Sequence, residues 1–206
     1  MRNRLDLVIL FFSISCSMVF AGCHDIEDRT PHQLPGDSVT TTIPDGDTAL
    51  GKNHKKPVPV FTGNEIKSEA IHPDSIVAFA RTLMGIPYLY ASTDPSKGFD
   101  CSGLITYVFN HFNIAVPRSS VDFTNMGREI SLDNAKPGDL ILFTGTDSTI
   151  RIVGHMGIVE SINDDTVNFI HSTSGKAKGV VITPFENYYR SRFVKVIRVF
   201  PEEFFE

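Results

Sequence analysis

The chain has 206 residues, 41% of them hydrophobic, with 16 Phe and no Trp, a composition typical of a soluble globular protein. A formal charge of −5 argues against nucleic acid as a partner, because a phosphate backbone needs a basic footprint. The length suits one domain plus a tail.

The first residues, MRNRLDLVILFFSISCSMVFAGC, have the layout of a processing segment. Arg2 and Arg4 form a basic start, Leu7 to Phe20 is mostly apolar, and the small residues Ala21 and Gly22 lead to Cys23. This is a secretory signal rather than a membrane span. The ending FAGC resembles the lipobox of bacterial lipoproteins, although Phe20 stands where Leu is usual. Residues 1–22 are therefore expected to be a lipoprotein signal peptide, with Cys23 lipidated and several acyl chains giving durable anchoring. The alternative is ordinary cleavage near Ala21, leaving Cys23 free. With Cys16 removed and Cys23 consumed, Cys101 is the one mature thiol, and the fold must rest on its core without an intrachain disulfide.

Residues 23–70 read as a lipid-anchored flexible tether. Pro31, Pro35, Pro44, Pro57 and Pro59 interrupt it, and large apolar residues are sparse before VPVF at 58–61. Such a stretch buries too little to offset its chain entropy. VPVF is a potential edge strand. The domain is expected over 71–206. Pro73 opens a helix in which Ile76, Phe79, Ala80 and Leu83 share a face, with Gly85 as stop. Asp100 can cap a second helix carrying Leu104, Ile105, Val108, Phe109 and Phe112, which Asn113 can end. A short third helix is expected from Ser119 to Gly127. After the KPGD turn, β-branched segments follow at 139–143, 154–161, 166–172, 179–183 and 193–200, separated by turn signals such as NDD, SGKAKG and PFENY. Helices followed by strands predict an α+β fold with a mainly antiparallel sheet of five to six strands.

GFDCSGL, residues 98–104, puts a thiol in the first turn of the second helix. The unpaired amides there favour a thiolate and can also stabilise an oxyanion. Ser102 and Gly103 keep the turn small. A cysteine nucleophile needs a base. Of the seven histidines, His24, His32 and His54 fall in the tether, and His72 precedes the first helix. His111 lies roughly 15 Å along the helix from the sulfur at 1.5 Å per residue. His155 and His171 remain, on successive strands, where one ring can face the sulfur and the second orient it. By spacing alone, a catalytic pair, two ordinary sheet histidines and a zinc site with Cys101 all stay open.

GFDCSGL, PRSS (117–120), KPGDLILF (136–143), GHMGIVES (154–161) and FIHSTSGKAKGV (169–180) occur in an order that resembles the NlpC family of bacterial cell-wall cysteine peptidases. That resemblance implies a papain-like fold, with Cys101 as nucleophile, His155 as base and His171 as orienting residue. It further implies that Tyr88, Asp100, Ser102 and Ser120 hold the free amino group and backbone of a peptidoglycan stem peptide. For Asp100 the plain role of helix cap stands beside that one, and for Arg118 a structural salt bridge beside a substrate carboxylate. Tyr90, Ala91 and Ser92 replace the family's aromatic and glycine pair, and Phe123 replaces a common glutamine. These departures bear on pocket shape. The expected activity is a murein endopeptidase cutting γ-D-glutamyl to diamino acid bonds. The alternatives are the D-alanyl to diaminopimelate cross-link, an amidase or acyl transferase, and a non-catalytic wall-binding module. The expected protein is a monomer in the bacterial cell envelope, anchored to a membrane by its lipid, with no cofactor, no metal and no nucleic acid.

Overall fold

The computed structural model describes residues 57–206; the expected signal peptide, Cys23 and the first part of the expected tether lie outside them. α1 spans Pro73–Arg81, entered through His72, whose ring accepts from the Asp74 amide while Pro73 occupies the first turn. A two-stranded hairpin, β1 (Thr93–Asp94) and β2 (Gly98–Phe99), leads into α2 (Cys101–His111). Asn113 ends α2 in the left-handed region at φ 65°. Six strands then form one antiparallel sheet: β3 (Arg128–Ile130), β4 (Leu140–Thr144), β5 (Val153–Asn163), β6 (Thr166–Thr173), β7 (Gly179–Pro184) and β8 (Phe193–Arg198). Their order is β3-β8-β4-β5-β6-β7. A short helix, α3 (Asn187–Arg192), joins β7 to β8.

β4 lies inside the sheet, and all five of its residues are buried. Its alternation therefore feeds two cores. Leu140 and Leu142 pack with Met156, Ile158, Ile170 and the α1 and α2 side chains Ile76, Leu104, Ile105 and Phe109. Ile141 and Phe143 pack on the opposite face with Val159, Phe169, Val196 and Phe185, with Tyr189 against them. Each fully buried Leu, Ile or Phe contributes about 1.5–3 kcal/mol, so the two-faced burial makes β4 and α2 the rigid frame around the thiol. The KPGD turn is fixed by Asp139, which accepts the Lys136 amide at 2.8 Å and a bidentate fork from the buried Arg198.

Four expectations need correction. The described part of the tether, 57–70, packs on the domain. Ile66 and Ser68 are buried, and the Ser68 hydroxyl donates to the Val199 carbonyl. A single well-placed isoleucine supplies the apolar area that the composition of the stretch does not suggest. VPVF is not a strand: Val58 and Val60 stay exposed while Phe61 rests on the core. The third helix is a 3-10 segment, Ser120–Asn125, and the PFENY turn runs into α3, because Phe185 and Tyr189 have a core to cover. β3 carries no strand signal of its own; it forms by pairing along β8.

Candidate active site

The sulfur sits at the start of α2. Asp100 caps the helix with extended backbone, its Oδ1 accepting the Gly103 amide at 2.6 Å. A Cβ on Gly103 would stand 2.0 Å from the Ser92 carbonyl oxygen, so only glycine lets the helix start press against the preceding loop. Arg118 closes on the same acid, Nη2 to Oδ2 at 2.7 Å and Nη1 to Oδ1 at 3.0 Å, and also reaches Ser102 Oγ at 3.0 Å. Arg118 thus makes the expected structural salt bridge.

Cys101 is half-buried, with Sγ 4.0 Å from the Gly154 carbonyl oxygen. Burial, then the Asp100 carboxylate, pushes its pKa up, and the amides of Ser102, Met156 and Cys101 act the other way. The helix start contributes as expected but is outweighed, so the resting sulfur is a thiol. Gly154 directly precedes His155, which β5 delivers to the cavity that Cys101 also lines.

His155 is set by its neighbours. Its Nε2 lies 2.9 Å from Nδ1 of the fully buried His171, and His171 Nε2 lies 2.9 Å from Thr183 Oγ1. The two strands supply the register. Phe169 pairs with Thr183 and His171 with Val181, so Thr183 and His171 are diagonal neighbours on one face. A Cβ on Gly157 would stand 3.2 Å from the His171 Cβ and 2.8 Å from the Phe169 ring, so the missing side chain leaves room for both rings. Phe143, Phe169 and Tyr189 surround the pair. Against these rings the charged form is disfavoured. His155 is pushed well below the usual imidazole range by burial, then by His171 and Arg192; His171 is pushed down to about 3 by burial, then by Arg192. Both rings are neutral at pH 7. The tautomer that leaves Nδ1 of His155 free to take a proton has Nε2–H donating to His171 and His171 Nε2–H donating to Thr183.

Two recesses meet at the sulfur. One, of about 520 Å³, is lined by Cys101 together with Tyr88, Asp100, Ser102 and Ser120, with Arg118 and Tyr90 beside them. The structure therefore brings all four expected substrate-contacting residues together. Burial first, then the Cys101 and Asp100 charges, raises the Tyr88 hydroxyl pKa. Ala91, in the loop where the family pattern has glycine, adopts φ 57°. The other recess, of about 640 Å³, includes Cys101, His155, Thr183, Tyr189, Arg192 and Lys176. His111 is elsewhere, stacked on Phe79 at 3.7 Å. Among the described residues no group of three or more His, Cys, Asp or Glu side chains is arranged to hold a metal ion.

Sequence reasoning did not find Thr183 or Arg192. Thr183 reads as an ordinary β-branched strand residue, and only its register opposite Phe169 reveals it. Arg192 closes a helix read as a turn.

The family model described as NlpC/P60 family matches residues 85–198. The Gamma-DL-glutamyl hydrolase of Bacillus subtilis (strain 168) is 38% identical over 136 residues, 66% of this chain and 31% of that protein. The Murein DD-endopeptidase MepS/Murein LD-carboxypeptidase of Escherichia coli (strain K12) is 35% identical over 105 residues, half of each chain. A crystal structure of an NlpC/P60 family protein from Bacillus cereus ATCC 10987 superposes with a TM-score of 0.55 at 28% identity, covering 63% of this chain and 40% of that one. The matched part thus spans between 31% and 50% of these relatives.

Proposed function

The chain belongs to the NlpC/P60 family, and from that premise we propose that it is a cysteine endopeptidase acting on peptidoglycan stem peptides. The observation that carries this reading is the shared cavity of Cys101 and His155, with His155 oriented by a buried, neutral His171. Cys101 gives its thiol proton to His155 as sulfur attacks the scissile carbonyl carbon, because thiol and imidazole are both neutral at rest. The oxyanion meets the amides of the first turn of α2. His155 then passes its proton to the departing amine, the C–N bond breaks, and a thioester remains. Water, deprotonated by His155, attacks the thioester, and the sulfur leaves with that proton. His171 and Thr183 hold the ring's tautomer throughout.

The acyl part of the substrate lies in the recess of Tyr88, Asp100, Ser102 and Ser120. There the Asp100–Arg118 pair presents a carboxylate within reach of a free ammonium. The bond cut is that between γ-D-glutamate and the diamino acid, a reading supported by the printed name of the Bacillus subtilis relative. A second reading, the D-alanyl to diaminopimelate cross-link, is favoured by the Escherichia coli relative, named a murein DD-endopeptidase. Mass spectrometry of defined linear and cross-linked muropeptides, incubated with the protein and with Cys101→Ala, separates them. Loss of the diamino acid end from linear stems supports the first, and dimers collapsing to monomers the second. No cleavage of either leaves a wall-binding module.

The same reading puts the protein in the bacterial cell envelope as a monomer. Residues 1–22 serve as signal, Cys23 carries the lipid, and the residues after it form a spacer before the domain. No helix among the described residues is long and apolar enough to cross a membrane. Labelled palmitate entering the wild type but not Cys23→Ser is the expected result.

A further inference from the structure

The recess on the His155 side holds a cation that the mechanism above does not use. Arg192, 7% exposed, donates from Nε to the Gly145 carbonyl and from Nη2 to the Thr144 carbonyl, both at 2.8 Å. Its guanidinium lies 4.7 Å from the Tyr188 ring centre and 5.7 Å from that of Tyr189. Among the described residues no carboxylate pairs with it. The contrast is Arg198, 4% exposed, which Asp139 grips with two oxygens and Glu202 with a third. Carbonyl dipoles orient a guanidinium without cancelling its charge, and an unneutralised buried cation is costly unless something completes it. Lys176 lines the same recess, and no Asp or Glu does, in a chain whose formal charge is −5.

The chemistry fixes which part of a substrate lies there. The departing amine takes its proton from His155, so the departing residue occupies the recess that His155 lines. We propose that Arg192, with Lys176 lining the same recess, forms an anion subsite for a free carboxylate on the departing residue. This rests on the peptidase reading and deepens it. The planar fork of Arg192 suits a carboxylate. Two sources of such a group are compared: the second carboxylate of a diamino acid, and the α-carboxylate of a γ-linked glutamate.

The test measures kcat/KM of the full chain on paired synthetic peptides that differ only in whether the departing residue carries a free carboxylate or its carboxamide. One pair departs with a diamino acid, the other with a γ-linked glutamate, so the pair showing the larger preference names the source. The wild type is expected to favour carboxylate by about tenfold, the size of one 1.4 kcal/mol interaction. In Arg192→Gln the preference should fall to about twofold, in Lys176→Gln by a smaller factor, and Arg192→Lys should keep part of it. Equal rates on carboxylate and carboxamide by the wild type, or an Arg192→Gln loss identical on both, overturns the subsite and leaves a structural arginine. Calorimetry of the departing fragments with Cys101→Ala and with Cys101→Ala/Arg192→Gln tests the subsite without turnover. Carboxylate-selective binding lost with Arg192 upholds it even if no peptide is cut, a result that would count against the peptidase reading alone. Binding with no such selectivity overturns it.

Discussion

The two recesses that meet at Cys101 handle charge in opposite ways. On the acyl side, Asp100 and Arg118 satisfy one another through two hydrogen bonds, and the acid also caps α2. On the departing side, Arg192 and Lys176 face the cavity with no acid among its lining residues. One flank is internally neutral and serves the backbone as much as a ligand; the other is left with charge to share. A single helix start thus divides a structural ion pair from an incomplete one. Each flank acts on a different member of the site: Asp100 raises the thiol pKa, while Arg192 lowers that of the histidines.

The most severe way to break this arrangement removes its centre. Cys101→Ala should lower stem-peptide hydrolysis by about 10⁴-fold or more, because the nucleophile acts as a unit with its base. Both flanks should still bind their fragments in calorimetry. Residual hydrolysis within tenfold of wild type would move the chemistry off the thiol altogether.

A smaller loss is expected behind the base. Thr183→Val keeps the shape of the side chain but removes the acceptor for Nε2–H of the fully buried His171. kcat should fall about tenfold with KM little changed, a misplaced-proton effect within the range of general acid–base contributions. Thr183→Ser, which restores the hydroxyl, should recover most of the rate. Equal losses in Val and Ser would show that packing, not the hydrogen bond, is what Thr183 supplies.

Asp100→Asn makes the two flanks alike. Asparagine still caps a helix, so α2 should persist, and Arg118 becomes a second unneutralised cation. The Asp100 charge raises the Cys101 pKa, so its removal must favour thiolate. The pH midpoint of iodoacetamide alkylation should therefore move down. With Arg118 side-chain exposure at 43%, the stability loss from the broken pair should stay near ~1 kcal/mol. An unchanged or higher alkylation midpoint would contradict the electrostatic account of the thiol.

How far these features could be read beforehand differs by physical cause. The helix of Cys101, its cap and the strands carrying His155 and His171 depend on local patterns: an apolar face, a capping acid and β-branched alternation. Each was legible in 98–104, 154–161 and 166–172. Thr183 and Arg192 were not. Thr183 matters through cross-strand register, and Arg192 through the path by which α3 returns its side chain to the carbonyls closing β4. Neither relation leaves a mark in nearby sequence. Ile66 failed in the same manner, since one buried side chain outweighed a polar, proline-rich neighbourhood. The state of the thiol also escaped, because the helix start was visible but the burial opposing it was not.

The gentlest probe is pH, acting on the flank where cations are left unpaired. His171 in the folded protein titrates at about 3, against about 6.5 for an unfolded histidine. Between those values the unfolded chain binds a proton that the folded chain refuses. Stability is therefore unaffected above about pH 6.5 and falls as pH drops toward about 3. The slope from this one residue is at most ~1.4 kcal/mol per pH unit. His155 is depressed in the same direction and adds to the slope. Denaturant melts at a series of pH values should show this decline, and His171→Asn, which has no proton to refuse, should flatten it. Because Arg192 contributes to both depressions, Arg192→Gln should let the histidines titrate closer to their ordinary value and shrink the acid-side loss. A steeper loss in that variant would mean that the arginine does not act on the histidines through its charge.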